Sequence, residues 1–159
     1  MPTNSKRICW DSCVFIHRIQ RTPGKIATLK QITYAAENGE VVIVTSAFSI
    51  AEVAKLNTKK PLTKPQEKRI NEFFQNDFIE LVAVDLFVAE LARSIVRNHG
   101  LKPGDAVVVA SALMGNADVL HTYDEKVLKR DGFIKRKGSK PLEIKEPYLP
   151  QQDLYAGLS

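Results

Sequence analysis

Apolar positions along this chain alternate between two rhythms. Arg7 to Trp10, Val41 to Val44, Phe78 to Val84 and the short run before Asp124 are compact stretches with apolar centres. Short apolar runs bounded by polar or turn residues predict strands buried on both faces. Between them, apolar residues recur every three or four positions. Examples are Val14, Phe15, Ile16 and Ile19, then Ile26, Leu29, Ile32 and Ala36, then Ile70, Phe73 and Phe74. That rhythm predicts helices over about 12–21, 25–38 and 66–75. A further helix follows Ser46 in AFSIAEVAKL, and another follows Asp85 in LFVAELARSIVRNHG. Asp11 or Ser12, Ser46 and Asp85 suit helix starts, while Pro23-Gly24, Asn38-Gly39 and Gly100 suit helix ends. Asn57 to Pro65 reads as a basic connector, and Leu142 to Lys145 as a last edge strand.

The stretch Leu101 to Asp124 needs arbitration. Its three consecutive valines favour a strand. Pro103 suits the first turn of a helix, Gly115-Asn116 suits its end, and the apolar run is long for a strand. The expectation is a buried helix, a tight turn and a short strand ending at Asp124. Strands alternating with helices predict an α/β fold, a parallel sheet with helices on both faces.

Composition narrows the function classes. A length of 159 residues suggests one domain, drawn at 1–146 with a tail at 147–159. No apolar run approaches the roughly 20 residues of a membrane helix, and no secretory signal is evident, so a cytoplasmic location is expected. A net charge of +5 favours an anionic partner, nucleic acid first. Cys9, Cys13 and His17 come near a zinc-binding spacing. Cys9, however, falls in the strand before the helix and no fourth ligand stands nearby, so two small buried thiols are the simpler reading.

The acids change the picture most. Asp11 closes the first strand. Glu52 lies in the helix after the second, between apolar Phe48 and Leu56 at i−4 and i+4, an unusual place for a carboxylate. Asp105 lies in the first turn of the helix before the fourth strand, and Asp124 follows that strand. Singly, each is explained as a helix-start, turn or solvated acid. Together they come from distant segments to the carboxyl ends of parallel strands, where open sheets build ligand sites. Clustered carboxylates raise one another's pKa, and a hard divalent cation such as Mg²⁺ or Mn²⁺ relieves that repulsion. Such a cation with a phosphodiester needs no other acid–base group. The chain carries no Gly-rich phosphate loop, H-E-x-x-H or G-x-S-x-G, and its histidines are scattered.

The segments ICWDSCVFI, TSAFSIAEV, LKPGDAVVVASAL and VLHTYDEKVL, in this order, resemble a PIN-domain ribonuclease. The resemblance is greatest to VapC-like toxins of bacterial toxin–antitoxin pairs, and spans about Arg7 to Lys145. It implies a three-layer α/β/α sandwich around a mostly parallel five-stranded sheet. It implies Mg²⁺- or Mn²⁺-dependent endonuclease cleavage of RNA, with Asp11, Glu52, Asp105 and Asp124 as catalytic, metal-binding acids. Thr122 carries over as the residue that orients them, with Ser12 beside Asp11. A cognate antitoxin and a homodimer are the implied partners. Where some relatives place a further acid, two residues after the last, this chain has Lys126.

Seven Lys or Arg against two acids lie between Glu125 and Lys140. Lys126, Lys129, Arg130, Lys135 and Arg136 are therefore the expected RNA contacts. Lys59, Lys60, Lys64, Lys68 and Arg69 form a second basic set. Tyr123 and Phe133 could stack on bases, although Phe133 suits the core equally. The helices at 25–38 and 66–75 are expected to offer a dimer or antitoxin groove. The competing reading is an inactive module of the same fold that binds RNA or protein. A phosphatase is disfavoured because Cys13 stands where its second aspartate is needed, and a phosphorelay receiver because Asp11 is a lone acid at the first strand.

Overall fold

The computed structural model describes residues 5–54, 56 and 60–150. Five strands form one sheet: β1 (Lys6–Trp10), β2 (Val41–Ser46), β3 (Ile79–Val82), β4 (Val119–His121) and β5 (Glu143–Lys145). Their order is β3-β2-β1-β4-β5 and every pairing is parallel. All strands therefore end at the same edge. β1 is central, and Ile8, Cys9 and Trp10 are fully buried, as a strand covered on both faces requires.

Two helical layers cover the sheet. Ile8 and Trp10 join the core formed with α1 (Ser12–Gln20), α2 (Ile26–Glu37) and α4 (Lys64–Phe74). Cys9, Val44, Leu120 and Ile144 point into the opposite core, with α5 (Leu86–His99) and α6 (Pro103–Met114). The three-layer α/β/α sandwich follows. Two short helices, α3 (Ala47–Glu52) and α7 (Glu125–Leu128), lie just beyond the strand ends.

The valine run is helical because α6 is buried almost all round, against the sheet on one side and α5 on the other. Its end packs closest of all. A Cβ on Gly115 would sit 2.8 Å from Val44 Cγ1 and 2.9 Å from Val82 Cγ2, so only glycine lets α6 meet the sheet there. The left-handed residue of this turn is the next one, Asn116, at φ 55°.

Several boundaries move. α3 stops at Glu52 instead of continuing to Leu56, because Val53 leaves helical geometry at ψ 49°. α4 begins two residues before Gln66. Thr63 and Gln66 form a reciprocal capping box and Pro65 occupies the first turn, so a proline read as part of the connector starts the helix. The apolar stripes of α2 and α4 form no outer groove. Leu29, Ile32, Ile70 and Phe74 all belong to the core. Exposed apolar side chains gather instead at Leu81, Val84, Leu86 and Phe87. Of the connector, Lys59 lies outside the described residues, as does the tail beyond Pro150. Tyr148, in the described part of the segment 147–159, packs on the His121 ring and donates to Glu143 Oε1 at 2.7 Å. No helix among the described residues is long and apolar enough to cross a membrane.

Candidate active site

Asp11 follows β1 directly, and its backbone N–H donates to His121 O at 3.1 Å, extending the β1–β4 pairing. It caps α1, with Oδ1 accepting from Ser12 N at 2.7 Å. Oδ2 accepts from the buried Thr122 hydroxyl at 2.8 Å. The same Thr122 oxygen accepts from Asp124 N at 3.1 Å. One hydroxyl thus ties the end of β1 to the turn after β4. Asp124 caps α7, accepting from Lys126 N at 2.9 Å. Cys13 Sγ lies 3.7 Å from Asp11 Oδ2 and 3.6 Å from Thr122 Oγ1.

Glu52 and Asp105 arrive on helices. Glu52 ends α3, and its Oε1 is buried with no hydrogen-bond partner. Asp105 lies in the first turn of α6. The two helices meet closely at Gly104, where a Cβ would stand 3.1 Å from Phe48 Cε1 and 3.9 Å from Glu52 Oε2. Gly104 therefore admits the α3 aromatic and brings Glu52 beside the start of α6.

The acids sense one another. Burial pushes the Glu52 carboxyl up to about 7, with Asp11 and Asp105 adding to the rise and Ser12 opposing it. Burial raises Asp105 too, helped by Asp124 and Asp11 and opposed by Lys102 and Lys126. Asp11 is raised by burial and by Asp124, against the pull of its hydrogen bonds from Thr122, Ser12 and Cys13. These carboxylates lie close enough to repel, and no arginine or lysine forms an ion pair with any of them among the described residues. Nor do any three His, Cys, Asp or Glu side chains among these residues form a ready-made metal cage. A small hard cation does not need one, since Mg²⁺ binds through one or two carboxylates and keeps several waters. An all-oxygen donor set, raised pKa values and the orphaned Glu52 oxygen fit such an ion.

The basic candidates divide. Lys126, Lys129 and Arg130 line a cavity of about 320 Å³ together with Asp105 and Lys102. Lys102 is a residue that charge counting along 125–140 missed, although it adjoins Asp105 in LKPGD. Lys135 and Arg136 do not line this cavity. Phe133 is not core. It is 71% exposed. Tyr123 is engaged on one side, with Lys25 Nζ 5.0 Å from its ring centroid and the His17 ring at 5.1 Å. The zinc arrangement is not formed. Cys9 is fully buried on the far side of the sheet, and His17 Nδ1 pairs with the Thr22 hydroxyl at 2.8 Å. No histidine is placed to act as base. His121 is fully buried, and burial lowers its pKa to about 3.

A five-stranded parallel α/β/α sandwich with four acids at the carboxyl edge defines the class. By sequence the chain belongs to the PIN domain family, whose model matches residues 8–133. A search of curated proteins finds no match. Among solved structures, the chain is similar to VapBC2 from Rickettsia felis, bound to a DNA fragment from its promoter. There the identity is 18%, coverage is 88% of this chain and 97% of that one, and the TM-score is 0.59. It is also similar to VapC20 of Mycobacterium tuberculosis, a toxin that cleaves the sarcin-ricin loop, at 15% identity, 81% and 98% coverage and TM-score 0.63. A third is FitAcB from Neisseria gonorrhoeae, at 17% identity, 88% and 97% coverage and TM-score 0.56. At such identities the likeness is one of fold.

Proposed function

We propose that this protein is a Mg²⁺- or Mn²⁺-dependent endoribonuclease and the toxin of a toxin–antitoxin pair, acting in the cytoplasm. The observation that supports this reading is the approach of Asp11, Glu52, Asp105 and Asp124 to one sheet edge, without an ion pair among the described residues and flanked by a basic cavity. When bound, the cation supplies Lewis-acid polarisation of the phosphodiester and activation of water. Asp11, Glu52, Asp105 and Asp124 would hold it. Thr122 fixes the Asp11 carboxylate and the Asp124 backbone, so two of the acids keep one spacing. Ser12 steadies Asp11 through its N–H and offsets the repulsion felt by Glu52. Lys126, Lys129 and Arg130 supply positive charge for the substrate backbone beside Asp105.

The antitoxin rests on the toxin–antitoxin assemblies among proteins of this fold. A homodimer is supported by the exposed Leu81, Val84, Leu86 and Phe87. Cleavage of a single-stranded RNA panel with Mn²⁺, with DNA of the same sequences alongside, tests the activity. Asp105→Asn should slow RNA cleavage by about 10²–10³-fold, the range for removing one preorganised electrostatic group, and excess chelator should stop it. Undiminished cleavage in that variant would refute the mechanism. Binding without cleavage by wild-type protein would favour the inactive module.

A further inference from the structure

The cavity beside Asp105 does not end at the basic residues. Lys129 and Arg130 also line a second, open cavity of about 470 Å³, whose other walls are Asn98, His99 and Phe133. The two cavities share these two cations, and together they mark out a path between the end of α5 and the segment that includes α7. At one end stands Asp105, and at the other an aromatic ring.

Arg130 and Phe133 are both held in place. Arg130 Nε donates to His99 O at 2.8 Å, fixing the guanidinium across the carboxyl end of α5. That bond uses one of its five donors. The others make no hydrogen bond or ion pair among the described residues, and a planar fork fixed at one corner suits a phosphate. Phe133 is held outward by its neighbours. Gly132 adopts φ 78° and donates to Leu142 O, Phe133 N donates to Arg130 O at 3.0 Å, and Ile134 is almost fully buried. The turn anchors Ile134 inside and leaves the Phe133 ring 71% exposed beside two cations. Water disfavours such a ring, whereas an unpaired base stacks on it whatever the sequence.

We infer that this path is the track of single-stranded RNA leaving the acid site: Lys102 and Lys129 contact backbone phosphates, Arg130 receives the next phosphate, and Phe133 stacks one base. The track rests on the RNA-cleaving reading given above, and its test is independent of turnover. A fluorescein-labelled, mixed-sequence single-stranded oligoribonucleotide is titrated with the full chain in EDTA, and anisotropy is followed at several salt concentrations. Phe133→Ala should weaken binding roughly five- to hundredfold, the range for losing one base–aromatic stack, and Phe133→Trp should retain it. Lys129→Ala should reduce the logarithmic salt slope by about 0.7, one phosphate contact on a single strand. An abasic nucleotide walked along the oligomer should, at one position, weaken the wild type but not Phe133→Ala. Wild-type affinity in Phe133→Ala, or no abasic position that distinguishes the two proteins, overturns the track. The outcomes separate from those of the parent reading. Binding through Phe133 with no cleavage under any divalent metal would sink the nuclease and keep the track. Cleavage unaffected by Phe133→Ala would sink the track and keep the nuclease.

Discussion

The two edges of the sheet treat charge in opposite ways. At the amino-terminal edge Glu80 and Asp118 each have a donor in Arg7. Arg7 Nη2 bonds Glu80 Oε1 at 2.7 Å and the Gly115 carbonyl at 2.7 Å, while Arg7 N donates to Asp118 Oδ2 at 2.8 Å. Arg7 thereby ties β1 to β3 and to the turn after α6. At the carboxyl edge Asp11 and Asp124 accept from hydroxyl or backbone donors, none of the four acids forms an ion pair among the described residues, and burial and mutual repulsion raise three of them. A cavity of about 810 Å³, larger than the one beside Asp105, lies at the paired edge, lined by Arg7, Gly39 and Glu80 among others. Electrostatic compensation is the better guide, since stable folds pair their charges and sites that bind cations hold theirs open.

Two substitutions test this contrast, one at each edge. Thr122→Val removes the hydroxyl that joins Asp11 to the turn before Asp124 and keeps the volume. Metal-dependent cleavage should fall by about 10–100-fold, the range for losing a partner that orients a ligand, with the acids themselves intact. An unchanged rate would mean that Thr122 is only a packing residue. Arg7→Ala, at the other edge, should lower unfolding stability by about 1 kcal/mol, since its ion pair is partly exposed and its Nε and Nη2 share one acceptor, Gly115 O. Cleavage at a temperature where that variant stays folded should not change. A large loss of activity there would erase the distinction between the edges.

Much of the fold was legible because its local rules agree. Val41–Val44 lacks polar interruptions, and Asp85 and Gly100 bracket α5 with a cap at each end. The helix of valines was legible from Pro103 and the Gly115 turn, against intrinsic preference. What misled was local chemistry with two meanings. Pro65 serves equally in a connector or in a first helical turn, and only the Thr63–Gln66 box decides. The α2 and α4 stripes could face core or partner, and periodicity does not say which.

In the proposed site, Asp11, Asp105 and Asp124 stand out by their places at strand ends and helix starts, and Glu52 by its apolar neighbours Phe48 and Leu56. Their surroundings in the fold do not. Lys102 joins Lys126 and Lys129 only because the start of α6 and the α7 segment open onto one cavity, which Lys135 and Arg136, closer in sequence to those two lysines, do not line. Phe133 has the hydrophobicity of a core residue, and the anchoring of its neighbour Ile134 is what turns it outward.

If the site binds metal as proposed, the four acids repel one another until a divalent cation joins them. In the metal-free protein, the raised pKa of Glu52 means that stability falls as pH climbs from its ordinary value of 4.5 to about 7. A cation must displace that proton, so its affinity should rise over the same interval. The direct measurement is calorimetric titration of Mn²⁺ into wild type and Asp105→Asn at pH 6 and pH 8. Binding should be tighter at pH 8, release protons at pH 6, and be markedly weakened in Asp105→Asn. Equal affinity at both pH values, or undiminished binding in Asp105→Asn, would contradict the proposal.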